Sequence, residues 1–526
     1  MTDKTDIRKP GAGFTRREAL ATGAAAGALA AGLSLAPGMA RAASPKKGGR
    51  LRIGIGQGAT TDSLDPATIT DTYMQVVNYG LRNCLTEIDS NGKLVGELAE
   101  SFEVSKDAAT WTFKLRKDVT FHNGKTLDAD DVIASLAHHR TEESKSAAKS
   151  LLKAVKEIKA DGKNTVVIVL ESGNADFPYI VSDYHMPILP AKDGKADALS
   201  GIGTGGYILD KFEPGVRTFM KRNPNYWKKN AAYFDEVEAL AIIDPPARVA
   251  ALSTGEVDVI DRVDRKVVDQ VKRMAGVNVT EVTGNQHYTF PMRCDQDPFK
   301  DNNIRMALKH ALDREEMVRT VLSGHGSVGN DHPIGPSQTF YNKDLPQRVY
   351  DADKAKFYLK QAGLSSLKVD LSVADAAFDG AVDAGVLYKE KAAKAGIDIN
   401  VIREPNDGYW SNVWLVKGWC ASYWGGRPTE DWMFTTTYAA GASWNESFWN
   451  NERFNKLLLA GRTELNQDKR REIYYEMQQI CRDDSGAVIP MFANYIIAAS
   501  DKVQHGKLAA NWDLDGLKVC ERWWFA

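Results

Sequence analysis

Aromatic side chains are crowded into one stretch of this chain, where polar and charged residues separate them. Twelve Trp, Tyr and Phe residues lie between Tyr409 and Trp449, and Gly, Ser, Thr and Asn fill much of the remaining sequence there. A segment that only filled a core would carry Leu, Ile and Val instead. Rings with scattered polar groups are typical of a cleft that binds a small molecule. The stretch therefore predicts a ligand site, with an aromatic core patch and a loop as the alternative.

Motifs for covalent chemistry or for a cofactor are incomplete. The glycines from Gly54 to Gly58 follow a predicted strand, as in a dinucleotide fingerprint, but a loop comes next instead of a helix. Ser150 and Lys153 have the spacing of an acyl-serine pair and lack the Lys-Thr-Gly that accompanies it. The five cysteines show no metal-binding spacing. We therefore predict no catalytic residues, no cofactor and no metal site.

The N-terminus has the pattern of an export signal. Residues 1–18 are polar and contain Arg16 and Arg17, and residues 19–40 carry no charge. The paired arginines are typical of the twin-arginine (Tat) route. Small residues at alternate positions then suit a signal peptidase, so we predict a cleaved Tat-type signal at 1–42 and a periplasmic mature protein. An uncleaved membrane anchor is the alternative.

The charge of the mature chain argues against two classes of partner. The predicted signal holds six basic and three acidic residues, so its removal changes the formal net charge from −2 to −5. A negative protein is poorly suited to nucleic acid or to an anionic membrane surface. No later stretch is apolar enough to cross a bilayer, so the mature protein is not expected to span a membrane.

Hydrophobic periodicity predicts a mixed α/β fold. Alternation of apolar and polar residues predicts strands over 50–55 and 109–116, and a further strong strand is predicted over 165–170. Capping residues and apolar spacing predict helices that begin at Asp128 and Asp301, and helices over 353–361 and 466–482. A chain of this length exceeds one ordinary core, and no repeat or Pro-rich linker divides it. We therefore expect an α/β protein of two or three lobes that are joined by tight crossings.

A series of motifs resembles the extracellular solute-binding proteins of the peptide/nickel type (family 5). The series includes Leu-Asp-Ala-Asp-Asp-Val at 127–132, Lys-Arg-Asn-Pro-Asn-Tyr-Trp at 221–227 and Gly-Trp-Cys-Ala at 418–421. Further matching stretches lie at 96–104, 110–124, 203–207, 255–258 and 298–314. They occur in the family's order between residues 50 and 500, which makes the resemblance specific.

The resemblance implies a fold and a role. Proteins of this family are two-lobed α/β binding proteins of the large periplasmic class, and their lobes close over a solute that the permease subunits of an ABC importer then accept. We place a discontinuous lobe I at 43–285 and 496–526, with an extra subdomain at about 80–210, and lobe II at 286–495. The predicted function is the substrate-binding component of an ABC importer, acting as a monomer. A Tat-exported enzyme and a periplasmic chaperone or receptor partner are the alternatives.

The resemblance also implies a disulfide and a ligand. Oligopeptide-binding relatives bridge cysteines near Cys294 and Cys420, and two buried thiols are the alternative. In peptide-binding relatives the cleft strand reads Gly-Trp-x-x-Asp, and that Asp pairs with the ammonium of the ligand. Here Ser422 takes its place, and a neutral hydroxyl cannot offset a buried ammonium.

Charges just downstream suggest a different ligand. Arg427 can hold a carboxylate in a forked pair, Asp431 can accept an ammonium, and the rings can stack on the ligand. A mutual pair of Arg427 and Asp431 that only shapes the loop is the alternative. We predict a small peptide-like or amino-acid-derived ligand that bears a carboxylate. The predicted ligand-binding residues are Trp419, Ser422, Tyr423, Trp424, Arg427, Asp431, Trp432, Trp444 and Asp62.

Overall fold

The largest sheet of the protein joins strands that are far apart in the sequence. The computed structural model describes residues 45–526 except 145, 147 and 407, so the predicted signal at 1–42 lies outside the described residues. Within them, Lys46–Phe525 forms one compact unit. The strands of the largest sheet, in spatial order, are β10 (Tyr207–Glu213), β11 (Arg217–Arg222), β12 (Glu236–Ala241), β1 (Arg50–Ile55), β13 (Val259–Ile260), β19 (Met491–Ser500), β14 (Val277–Thr289) and β18 (Ser422–Trp424), with β15 (Gly326–Val328) paired to β19.

Aspartate residues begin many of the helices, because a carboxylate accepts hydrogen bonds from the unpaired N–H groups of a first turn. Such Asp caps lie at Asp71, Asp128, Asp244, Asp301, Asp313 and Asp351. The helices are α1 (Thr72–Leu81), α2 (Ala129–His138), α3 (Phe177–Ile180), α4 (Pro245–Thr254), α5 (Val268–Lys272), α6 (Asn302–His310), α7 (Arg314–Val321), α8 (Ala352–Gln361), α9 (Ala381–Ala393), α10 (Tyr409–Asn412), α11 (Glu430–Thr437), α12 (Glu452–Thr463), α13 (Gln467–Asp484), α14 (Asp513–Gly516) and α15 (Val519–Arg522). The four predicted helices are confirmed as α2, α6, α8 and α13. In the described range, no helix combines the length and the apolar character that crossing a bilayer requires.

A second, antiparallel sheet lies in the segment where the extra subdomain is predicted. Its strands, in spatial order, are β4 (Ala99–Val104), β5 (Thr110–Leu115), β7 (Thr165–Leu170) and β6 (Val155–Ala160). Alternate residues of β5, namely Trp111, Phe113 and Leu115, are buried, because successive side chains of a strand point to opposite faces. The three predicted strands are therefore confirmed as β1, β5 and β7. Smaller pairs are β2 (Thr86–Ile88) with β3 (Leu94–Gly96), β8 (Ala191–Lys192) with β9 (Lys195–Ala196), β16 (Leu367–Val373) with β17 (Ile397–Arg403), and β20 (Val503–Gln504) with β21 (Trp524–Phe525).

Two long strands, β14 and β19, connect two groups of hydrophobic cores. They pair antiparallel over most of their length. At one end Val277 and Ile496 pack in one core, and at the other end Tyr288 and Met491 belong to a different core. The protein is thus two-lobed, and adjacent strands cross between the lobes. The predicted limits of the lobes, at 43–285, 286–495 and 496–526, and of the subdomain at about 80–210 stay predictions.

The expected bridge between Cys294 and Cys420 is absent. All five cysteines of the chain are free thiols in the structure. The Cys294 side chain packs against the core that contains Met477, whereas Cys420 lies in the core that contains Trp419. The backbone segments of the two cysteines are neighbours, but their side chains face different cores. The sulfur atoms are therefore not brought together for a disulfide bond. Of the alternative of two buried thiols, the structure shows two free thiols, with Cys420 buried and Cys294 only partly buried.

Candidate ligand-binding site

The predicted cleft strand is the edge strand β18. It pairs with the end of β14, so that Ser422 lies opposite Thr289 and Trp424 opposite His287. Alternation along the strand buries Ser422 and Trp424 and leaves Tyr423 42% exposed. The strand ends at Trp424, and at Gly426 a φ of 81° and a close approach to Asn285 exclude a side chain.

Five aromatic residues form a connected group around β18, which we call the tryptophan cluster. Its members are Trp410, Trp414, Tyr423, Trp424 and Trp444. The ring centroids of Trp414 and Trp424 are 6.4 Å apart, and those of Trp424 and Trp444 are 5.9 Å apart. Trp410 contacts both Trp414 and Tyr423, at 5.9 and 5.7 Å between centroids. Trp410 and Trp444 are exposed, so the cluster opens to solvent.

A carboxylate lies inside the tryptophan cluster. The indole N–H groups of Trp414 and Trp424 donate to the two oxygens of Glu446, at 2.8 and 3.0 Å. The residue is only 3% exposed. Burial raises the pKa of Glu446, and the two indoles and the nearby Ser422 hydroxyl offset part of that rise. The site therefore contains a buried acid that the sequence prediction missed.

Arg427 follows β18 and lies near Tyr184 and Asp183, residues of the predicted lobe I. Its guanidinium donates to the Gly426 carbonyl at 2.6 Å and lies 5.7 Å from the centre of the Trp424 ring. Burial lowers the pKa of Arg427, and the negative charge of Asp183 and the nearby Tyr184 hydroxyl in lobe I partly offset this effect. Within the described residues, no carboxylate lies within 4 Å of this guanidinium. The N–H donors of the Arg427 guanidinium thus have no anionic partner in the described part of the chain.

Asp431 does not play the part that the sequence suggested. It is buried near the start of α11, and both of its oxygens accept from Nε of Arg462 at 3.2 Å. Burial raises the pKa of Asp431 to about 6, against the opposing effect of Arg462. Its carboxylate therefore pairs with Arg462, and the alternative pair of Asp431 with Arg427 is absent. Trp432 is half-buried on the same helix, and no contact between its ring and the tryptophan cluster is found among the described residues.

Two further predicted residues lie away from the cluster. Trp419 is 1% exposed, donates its indole N–H to the Phe290 carbonyl and packs against Tyr388, so it is a core residue. Asp62 belongs to the loop after β1, where its carboxylate accepts from the backbone N–H of Ala59. The structure thus brings together Ser422, Tyr423, Trp424, Trp444 and Arg427 out of the nine predicted residues. Glu446 carried one signal in the sequence, since it is an acidic residue flanked closely by aromatic ones.

Three carboxylates elsewhere have the spacing of a metal site. Oxygens of Glu87, Glu97 and Glu521 lie within 4.8 Å of one another. The ammonium groups of Lys228 and Lys518 already lie among them, at 2.9 and 2.6 Å from Glu97. Because these cations supply the positive charge, the group is better described as a buried ion network than as a metal centre.

A two-lobed α/β fold with an aromatic and charged site on an edge strand is typical of a solute-binding protein. The chain belongs to the bacterial extracellular solute-binding proteins, family 5, whose model matches residues 93–446. The resemblance predicted from the motifs and the predicted fold class are therefore confirmed.

Relatives with assigned ligands cover most of the chain. The dipeptide-binding protein of Escherichia coli (strain K12) is 26% identical over 507 residues, which are 85% of this chain and 93% of that protein. The oligopeptide-binding protein AppA of Bacillus subtilis (strain 168) is 24% identical, over 92% of this chain and 93% of the relative. Both are named as binding proteins and neither as an enzyme.

Solved structures share the fold. HbpA2 from Haemophilus parasuis superimposes with a TM-score of 0.80 at 22% identity, covering 89% of this chain and 99% of its own. AgaA from A.tumefacien R10, solved in complex with agropinic acid, gives a TM-score of 0.72 at 23% identity, covering 91% of this chain and 99% of its own.

Proposed function

We propose that this protein is the substrate-binding component of an ABC importer and that it captures a small peptide-like or amino-acid-derived solute between its lobes. Membership of family 5 supports the role, and the names of the relatives support the ligand class: they bind dipeptides and oligopeptides, and AgaA binds agropinic acid. The role is binding rather than catalysis, and the protein acts as a monomer.

One observation carries the ligand proposal. Arg427 lies where the two lobes meet, since the adjacent Pro428 lines a small cavity together with Asp183 and Trp512 of lobe I. The guanidinium has no carboxylate partner among the described residues and is partly withdrawn from water. A planar guanidinium in such a position binds a carboxylate through two parallel hydrogen bonds. We therefore infer that the solute presents a carboxylate to Arg427.

Removing Arg427 should weaken solute binding strongly. The solute is first identified by mass spectrometry of the natively purified protein and is then titrated calorimetrically into the wild type and into Arg427→Ala and Arg427→Lys. We expect Arg427→Ala to cost about 2–5 kcal/mol of binding free energy, because a desolvated forked pair is lost. Arg427→Lys keeps the positive charge but not the two parallel hydrogen bonds of a guanidinium. Its affinity for the solute should therefore lie between those of the wild type and Arg427→Ala.

Arg453→Ala is the matched control, since that guanidinium is exposed and pairs with Glu476 at the surface. Its affinity should equal that of the wild type. A retained solute without an anionic group, or an unchanged affinity in Arg427→Ala, would exclude Arg427 from the site.

We also propose that residues 1–42 direct the protein to the periplasm by the Tat route and are then removed. The paired Arg16 and Arg17 support the route, because the Tat translocon recognises this pair. Replacing both with Lys should leave full-length precursor in the cytoplasm, as seen by cell fractionation and immunoblotting. The control Arg8→Lys should mature normally. Periplasmic maturation of the double variant would point to the general secretory route instead.

A further inference from the structure

The carboxylate inside the tryptophan cluster lacks a counter-charge. Glu446 accepts one hydrogen bond from each of two neutral indoles, and within the described residues no Lys, Arg or His forms an ion pair with it. A buried carboxylate is costly unless a cation or several donors compensate it. Burial accordingly raises the pKa of Glu446. The protein itself therefore leaves a place for a positive charge beside this group.

Two buried hydroxyl groups on β18 and β14, one of them beside Glu446, also lack hydrogen-bond partners in the described part of the chain. Ser422 is 1% exposed and lies close enough to help lower the pKa of Glu446, yet its hydroxyl meets the geometry of a hydrogen bond to no described residue. Thr289 lies directly opposite Ser422 on β14, is fully buried and has an equally unpaired hydroxyl. Buried hydroxyls usually find partners, because leaving one unpaired costs about 1–3 kcal/mol. These two atoms point to a polar group that arrives from outside the chain.

The surrounding rings suit a cation. Trp444 and Tyr423 are 47% and 42% exposed, and Trp444 lies against the Trp424 ring whose edge donates to Glu446. Large aromatic side chains that stay exposed around a buried acid provide negative ring faces for a positive group. The same rings exclude water from the carboxylate, which strengthens its attraction for a cation.

We propose that Glu446, Ser422 and the tryptophan cluster form a binding site for a protonated primary amine. An alkylammonium group has three N–H donors, which match the Glu446 carboxylate and the two unpaired hydroxyls, whereas a quaternary ammonium has none. Glu446 then supplies, from a segment 24 residues downstream of Ser422, the negative charge that the side chain of Ser422 lacks.

The inference rests on the proposed function in one respect, the position of Arg427. The Trp424 indole donates its N–H to Glu446, and the Arg427 guanidinium lies over the ring of the same indole. A single solute that spans one indole can therefore place an ammonium at Glu446 and a carboxylate at Arg427. The combined site selects a compact zwitterion such as an amino acid or a short conjugate of one.

Ethylammonium chloride tests the amine site without knowledge of the natural solute. The tryptophan emission of the wild type should change saturably as ethylammonium is added up to about 0.5 M, with NaCl as the control of equal ionic strength. Glu446→Gln should weaken this response at least about tenfold, because the counter-charge is removed. Tetramethylammonium should bind more weakly than ethylammonium, because it cannot donate hydrogen bonds.

If circular dichroism shows that Glu446→Gln is misfolded, Trp444→Ala provides a second test of the amine site. This exposed ring can be removed without loss of core packing, and the ethylammonium response should weaken about threefold or more. Phe357→Ala, which removes a ring that is 53% exposed elsewhere, is the matched control and should respond like the wild type. No saturable response in the wild type, an equal response in folded Glu446→Gln, or stronger binding of tetramethylammonium would overturn the proposal.

Sodium propionate separates this inference from the proposed function. Propionate should bind through Arg427, so its effect should vanish in Arg427→Ala and persist in Glu446→Gln. If ethylammonium binds as expected and propionate does not, the amine site stands and the carboxylate site fails. If propionate binds as expected and ethylammonium does not, the amine site fails and the carboxylate site at Arg427 stands.

Discussion

Glu97→Gln should lower the free energy of unfolding by about 3–5 kcal/mol, as removal of one partner from a buried ion network does. The Glu97 side chain is fully buried and accepts from Lys228 and Lys518 at 2.9 and 2.6 Å, and from the backbone N–H of Cys84. Lys518 directly precedes the C-terminal helix α15, so the network fastens the end of the chain to the segment that holds Glu87 and Glu97. Without the Glu97 charge, the two buried ammonium groups lose one of the three carboxylates that they share.

The network should also make the stability depend on pH. Burial acts to raise the pKa of Glu87 and of Glu521, but Lys228 and Lys518 outweigh it and hold both values below the usual range. Folding therefore releases protons from these groups, and their stabilisation is complete above the unfolded pKa of about 4.3. It is lost as the pH falls from there through the lower folded values.

Urea unfolding at pH 7 and at points down to pH 3 measures both effects. The exposed pair of Lys114 with Glu103 supplies the control, since Glu103→Gln should change the stability by less than about 1 kcal/mol. A loss below about 1 kcal/mol in Glu97→Gln would show that the network contributes no more than a surface pair.

Asp176→Ala should shift the protein toward a form with separated lobes. The Asp176 carboxylate, which precedes α3 in the predicted lobe I, binds the Arg470 guanidinium of α13, in the predicted lobe II, at 2.6 Å, and both side chains are buried. Beside this pair, the Ala175 N–H donates to the Arg462 carbonyl at 2.7 Å. Without the carboxylate, Arg470 is a buried and unpaired charge as long as the lobes are in contact. Separation of the lobes exposes Arg470 to water and removes this cost.

The expected cost to the contacting form is about 3–5 kcal/mol, which changes its population ratio by a factor on the order of 10²–10⁴. Small-angle X-ray scattering should show a larger radius of gyration for Asp176→Ala, and the affinity for the identified solute should fall. Glu476→Ala is the control, because Glu476 lies on the same helix as Arg470 and its exposed pair is with Arg453 of α12. Unchanged scattering together with unchanged affinity would show that this pair does not hold the lobes together.

Elements with strong local signals could be predicted from the sequence. The helix after Asp128 is an example, since a capping Asp and an apolar stripe act within one segment. The strand over 165–170 is another, because Thr, Val and Ile, which favour strands, make up five of its six residues. The family, and with it the two lobes, followed from motifs whose order and spacing are specific.

The candidate site could be predicted only in part. The aromatic stretch from Tyr409 to Trp449 contained both a core and a site, and composition does not distinguish them. Trp419 lies in the core and Trp444 lies at the surface, although both are tryptophans in the same segment. Burial depends on which residues from distant segments pack against each ring, and a local pattern does not contain that information.

The sequence by itself determined the family, the regular elements and the position of Arg427 beside the aromatic stretch. Only the tertiary structure decided which charges are free. Asp431 is taken by Arg462, which lies 31 residues downstream, and Arg427 is left without a carboxylate. Glu446 comes to lie between Trp414 and Trp424 because turns fold its segment back onto β18. Ion pairs and hydrogen bonds act over a few ångströms in space, so their partners are set by how the chain folds back on itself and not by distance along it.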